Sequence, residues 1–297
     1  MAFEDKNEKI LQQDLSKEEQ PGMIFMMQLL MKEKCEMPDK DMMTTVMQKH
    51  LGDVHCFAHD DKVAGFAVNQ YKVEFKEGSI PPQLMITGCV ESATDKLDAL
   101  TISQMWDCKE DKERILSECK YQVIATDMMA GGLAYQDRAD MLMDYLEALV
   151  EMYPECEAVY FHTSGKMFTA DAIRNHQIPR DRRFIYFAVN VRFFNIQGTN
   201  DMLVDTLGMS TLFLPDLQYH FHGMDPNWVV NHAYNTLSYI YDNQNPIEDD
   251  ETIDGIVDGN MCQDVQWQCH YENALVQPAR DVLDICMNEY ASGTREY

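Results

Sequence analysis

The chain has 297 residues, 45% of them hydrophobic, with 50 acidic against 24 basic side chains and a formal charge of −26 at pH 7. That length holds one large domain or two of ordinary size, each able to bury a core. The charge repels phosphate backbones and anionic headgroups, which argues against nucleic acid and membrane surfaces as partners, and no apolar run reaches the roughly 18 residues of a membrane span.

In chain order, residues 1–20 are charged and Gln-rich and read as a flexible acidic tail, closed by Pro21-Gly22. Residues 23–31, MIFMMQLLM, form an apolar run of strand length. Pro38-Asp39 then opens a helical pattern, DKDMMTTVMQKHLG, with Gly52 where a C-terminal cap belongs. Residues 54–57 and 63–68 read as strands joined by the turn HDDK, and LMITGC as another. Residues 102–108, ISQMWDC, are read as a strand ending near Trp106, followed by a short helix in DKERILSECK.

YQVIAT, from Tyr121, is a further strand. A helix over about 137–153 follows, with Leu142, Tyr145, Leu146, Leu149 and Tyr153 on one face and Pro154 as its stop. Residues 156–163 read as a strand and HTSGK as the turn behind it. Strand, helix, strand thus recurs on either side of residue 120. The expectation is an α+β fold with helices packed on a mixed or antiparallel sheet, built from two similar βαβ-type halves of ferredoxin-like character, 21–120 and 121–297.

Residues 184–194 read as one strand with apolar odd positions, which sets Tyr186, Asn190 and Arg192 on the opposite face. A covered guanidinium needs carboxylates or carbonyls, and Asp205 and Asp216 are its nearest candidates in sequence. Two readings follow: a structural ion pair, or an arginine fork that holds a carboxylate or phosphate ligand. In LQYHFH, His220 and His222 share a face that Leu217, Tyr219 and Phe221 do not. Two imidazoles with Asp216 or Asp225 resemble a metal ligand set, but no third histidine can be assigned to it, so no metal and no cofactor is expected. Asp225 before Pro226 is a helix cap.

Two motif-like stretches fail on inspection. The segment from Asp250 has the early spacing of a calcium loop but Met261 where a bidentate Glu is required. Ser164-Gly165-Lys166 lacks the first Gly and the final hydroxyl of a phosphate loop and reads as a tight turn. The run 242–258 carries seven acids and no base and reads as an exposed loop, with Glu248, Asp249, Asp250, Glu251, Asp254 and Asp258 as a surface for a basic partner. The stretch ARDVLDICM, led by Trp267, Tyr271, Pro278 and Arg280, reads as a closing helix.

The order IPP, a strand ending near Trp106, then a helix leading into YQVIATD resembles the N-terminal half of the bacterial family DUF4261, a domain of unknown function. VNVRFF, DTLGM, LPDLQYHF, DPNWVV, ETIDG and WQCHYENALVQPARDVLDI, in that order, resemble its C-terminal half. The resemblance implies a domain arrangement and a bacterial cytoplasmic setting, and no reaction. Nine scattered cysteines without a CxxC pair read as reduced thiols, and the N-terminus MAFEDKNEKI lacks a basic stretch leading into an apolar one, which also points to the cytoplasm.

No stretch is a catalytic signature. Two function classes stay open. One is a non-enzymatic acidic protein of the inhibitor or immunity kind that covers a basic protein partner. The alternative is a small-ligand- or metal-binding enzyme with a pocket around Arg192, Asp216, His220 and His222.

Overall fold

The computed structural model describes residues 24–293, so the expected tail at 1–20 lies outside the described residues. The first part runs β1 (Met26–Met31), α1 (Lys40–Leu51), β2 (Val54–His59), β3 (Val63–Val68), β4 (Val73–Phe75), β5 (Gly78–Ile80), β6 (Gln83–Thr87), β7 (Val90–Glu91), α2 (Ala99–Ser103), α3 (Lys112–Glu118), β8 (Tyr121–Met128), α4 (Tyr135–Met152), β9 (Ala158–Phe161) and β10 (Lys166–Thr169). The second continues α5 (Ala170–Arg174), α6 (Arg183–Ala188), β11 (Asn190–Asn195), β12 (Met202–Leu207), β13 (Asp216–Phe221), α7 (Pro226–Asn243), β14 (Thr252–Val257), β15 (Asn260–Asn273) and β16 (Asp281–Cys286).

Two large sheets result. The first has the order β10-β9-β1-β8-β6-β3-β2, with β7 beside β8 and every pair antiparallel. It crosses residue 120, because β8 pairs with both β1 and β6. The second has the order β11-β12-β13-β16-β15-β14, and its β13–β16 pair is parallel. The α+β class with mixed and antiparallel sheets therefore stands. The two strand orders differ and lend no support to a repeated βαβ unit.

Local chemistry explains most elements. Asp39 accepts the amides of Asp41 and Met42 at 2.9 and 3.2 Å and starts α1, and Gly52 ends it at φ +71°. β1 is covered on both faces. Met27, Leu29 and Met31 enter the main core, while Leu30 meets Met105, Cys108, Ile115 and Cys119 from the α2–α3 segment. Helix α4 buries twelve of its eighteen residues, which marks an interior helix. It reaches both sheets: Tyr145 donates to the Met85 carbonyl on β6, and Arg138 binds Asp127 on β8 at 2.8 Å and the Thr211 carbonyl between β12 and β13.

Four readings are corrected. Residues 183–188 form helix α6 instead of the first part of a strand, since Arg183 at its start binds Asp144 and Glu147 of α4 at 2.8 and 2.6 Å. Residues 102–108 are not a strand: Asp98 accepts the Thr101 amide at 2.6 Å, caps α2 and turns the chain helical. The expected closing helix at 279–287 is strand β16, buried over Val282–Cys286 between β13 and β15. The acidic run 242–258 is one loop only over 244–251, since it begins in the last turn of α7 and ends as edge strand β14.

Candidate functional site

Strand β11 forms the edge of the second sheet and lies against the first. Lys166, fully buried at the start of β10, holds it there by donating to the Tyr186 and Val189 carbonyls at 2.6 and 2.9 Å, with Asp107 at 3.4 Å. Burial lowers the Lys166 pKa, against the raising effect of Asp107. Gln104 covers the outer edge of β11, its side-chain amide accepting from the Phe193 N–H at 2.9 Å and donating to the Phe193 carbonyl at 3.1 Å. Asn190 donates to the Ser164 and Gln104 carbonyls at 3.2 and 3.4 Å.

Arg192 sits opposite Asp205 in the β11–β12 register and grips it bidentately, Nε to Oδ1 at 2.8 Å and Nη2 to Oδ2 at 2.5 Å. Its Nη1 donates to the Gln277 carbonyl at 2.9 Å. Asp205, with no solvent exposure, also accepts from Arg280 at 2.8 Å. Arg280 in turn stands 3.4 Å from Asp216, whose other oxygen accepts the Met209 amide and the Thr206 hydroxyl. Two guanidiniums thus face two carboxylates in a buried network. Burial pushes Asp216 up, opposed by the Arg280 charge, while for Arg280 burial is outweighed by Asp205 and Asp216 and its proton is held more firmly.

The network belongs to a longer row. Arg192, Asp205, Gln218, Asp284 and His270 are successive register partners across β11, β12, β13, β16 and β15. Gln218 donates to Asp284 at 3.0 Å and accepts the Leu275 amide at 2.8 Å, so the 274–280 segment covers the row. At its far end His270 lies 3.0 Å from Asp250. A polar line therefore runs through the sheet from Arg192 to the acidic surface.

The seven expected site residues do not enclose one pocket. Tyr186 is on α6 and exposed, because the chain there is helical. Asn190 and Arg192 line a cleft of about 300 Å³ between the sheets, with Lys96, Asp98, Thr101, His162 and Ser164 among its walls. Asp205 and Asp216 lie buried in the second sheet, Asp205 against Arg192 and Asp216 beside Arg280. His220 lies farther along β13 and His222 just beyond its end. His222 meets the Ser292 hydroxyl at 2.9 Å, Ser292 donates to Asp201 at 2.9 Å, and His220 is 3.8 Å from Asp201. Among the described residues, the His/Cys/Asp/Glu group of three or more placed to share an ion is Asp249, Asp250 and His270, not the His220–His222 pair.

Sequence reasoning did not single out Lys96, His162 or Gln104, which carry no motif, and it read Ser164 only as part of a tight turn. Arg280 was visible only as a cation near the C-terminus. Its place beside Asp216 depends on the parallel β13–β16 pairing, which no local pattern announces.

The acidic surface takes shape around a hairpin. β14 and β15 meet at Asp258-Gly259, with φ +48° and +79° as a two-residue hairpin turn requires. Glu248, Asp249, Asp250, Glu251 and Asp258 are exposed and Asp254 half-buried. From residue 242 to 273 there are nine acids and no Lys or Arg. Val257, Met261 and Trp228 are exposed at the hairpin tip and beside it.

Residues 205–286 match the family model described as Domain of unknown function (DUF4261). The resemblance to DUF4261 is borne out over this segment. The matched segment supplies Asp205, Asp216, Arg280 and the whole acidic hairpin, whereas Asn190, Arg192, Gln104 and Ser164 precede it. No curated protein and no solved structure matches the chain. No helix among the described residues is long and apolar enough to cross a membrane.

Proposed function

We propose that the protein is a non-enzymatic binding protein of the inhibitor or immunity kind, acting in a bacterial cytoplasm, whose acidic hairpin docks a basic protein partner. The observation that carries this reading is the composition of the β14–β15 edge. It displays acids without an intervening Lys or Arg, around an exposed apolar tip at Val257, Met261 and Trp228. A basic partner gains steering from the acids and buried apolar area from the tip. The acids also keep the edge strand from pairing with another copy.

The test is native mass spectrometry of complexes isolated at low salt, using wild type and a variant carrying Glu248→Gln, Asp250→Asn, Asp258→Asn and Asp264→Asn. A stoichiometric basic protein should accompany the wild type and leave as ionic strength rises from about 0.05 to 0.5 M, where screening shortens to a few Å. The variant should lose it at a lower salt concentration. Retention by the variant at wild-type strength, or a bare polypeptide at low salt, would sink the proposal.

A further inference from the structure

We propose that the cleft between the two sheets is a binding site for a small oxyanionic metabolite, one carrying a carboxylate or phosphate group. The site is separate from the acidic hairpin and does not depend on its partner. Its size comes first. A cleft of about 300 Å³ displaces roughly ten waters and sits at the lower end of ligand pockets, which suits a metabolite and is too small for a dinucleotide.

Its walls offer donors that the protein itself does not use. Ser164 is 1% exposed, lines the cleft, and its Oγ has no hydrogen-bond partner among the described residues. A buried hydroxyl left without a partner is unfavourable in an empty site and is satisfied by a ligand acceptor. Arg192, 7% exposed, spends three of its five N–H groups, two on Asp205 and one on Gln277, leaving one on each terminal nitrogen. Arg192 lines the same cleft, and its guanidinium is held by Asp205 so that little freedom is lost when a ligand arrives.

Lys96 stands exposed at the rim and forms no ion pair among the described residues. The acid lining the cleft, Asp98, is engaged in capping α2 through the Thr101 amide. Asn190 is not available to a ligand as a donor, since its amide N–H groups go to the Ser164 and Gln104 carbonyls. Ser164, Arg192 and Lys96 thus bring a hydroxyl, guanidinium N–H groups and an ammonium to the cleft, beside His162 and Thr101, and the two cationic groups call for an acceptor-rich anion.

Isothermal titration calorimetry on the full chain tests this with sodium phosphate and, separately, sodium succinate, ionic strength being held with sodium chloride. One probe or both should bind saturably at one site per chain. The phosphate arm identifies a phosphoryl ligand and the succinate arm a carboxylate. Lys96→Ala and Ser164→Ala should each weaken binding about tenfold, the worth of one charge-assisted hydrogen bond. Neither change removes a bond seen within the protein, so both variants should unfold at the wild-type temperature, and that is measured alongside. Lys109→Ala, exposed and outside the cleft, should bind as wild type does. Absence of saturable heat with both probes, or wild-type affinity in the Lys96 and Ser164 variants, overturns the assignment.

Discussion

Replacing Asp205 by Asn probes the buried network most directly. The carboxylate has no solvent exposure and accepts from Arg192 at 2.8 and 2.5 Å and from Arg280 at 2.8 Å. An amide of the same shape removes the charge and turns one acceptor into a donor aimed at a guanidinium. Stranding a buried charge by removing its partner costs about 3–5 kcal/mol, and here two cations lose a shared partner, so the upper part of that range applies. With total stabilities of about 5–15 kcal/mol, this is roughly a quarter of the whole or more. For a chain of this size it lowers the melting temperature by roughly 6–15 °C. Urea unfolding followed by far-UV circular dichroism gives the number. The double variant Arg192→Met/Asp205→Leu removes one cation with its carboxylate and leaves Arg280 to Asp216, so it should recover part of the loss. A loss below about 1 kcal/mol for Asp205→Asn, the worth of an exposed pair, would refute the account of a dry, mutually dependent network.

Three other outcomes are expected. His232 is buried, bonded to the Asp254 carbonyl at 2.7 Å and the Tyr219 hydroxyl at 2.9 Å, and burial lowers its pKa. The unfolded imidazole takes a proton near pH 6.5 while the folded one resists it, so its contribution is full above about 6.5 and is lost as pH falls below that value. The stability difference between wild type and His232→Gln should therefore shrink from pH 7.5 to 5.5, and a constant difference would contradict the sign. Gly208 has φ +137°, and a Cβ there would lie 2.5 Å from the Ala188 carbonyl oxygen, so Gly208→Ala should cost more than about 1 kcal/mol in thermal unfolding. An unchanged melting temperature would show that the α6–β11 junction yields. Burial pushes the thiols of Cys156 and Cys269 up to about 12. Ellman's reagent at pH 7.5 should reach the part-exposed Cys89 and Cys262 first and those two only after denaturant, and early labelling of Cys269 would place it in a mobile region.

Much of the fold is legible where one residue type acts locally. Asp39 and Gly52 bracket α1, Asp225-Pro226 opens α7, and HDDK turns β2 into β3. Legibility fails at continuous apolar runs. FIYFAV fits helix or strand equally, and the choice is made by Arg183 meeting acids on a helix 36 to 39 residues away in sequence. It fails again at ARDVLDICM, where buried faces on both sides erase the alternation that marks a strand. For the site, the pairing of Arg192 with Asp205 could be foreseen because the two lie on adjacent antiparallel strands close in sequence. Asp216 could not be assigned to Arg280, nor Ser164 to the cleft, because those meetings depend on how distant segments pack.

The row Arg192, Asp205, Gln218, Asp284 and His270 also acts as a key to strand alignment. In an ordinary apolar sheet a strand displaced by one residue exchanges one greasy face for another, and where both faces are covered the two arrangements differ little. Here a displacement of β12 against β13 sets Asp205 across from Leu217 or Tyr219, and one of β15 against β16 sets His270 across from Leu283 or Ile285. Each misaligned state places a charge or an amide in the interior with nothing to receive it. The second sheet joins strands drawn from almost a hundred residues of chain around one parallel pair, and its polar row rejects the wrong alignments at every one of the four joints it crosses.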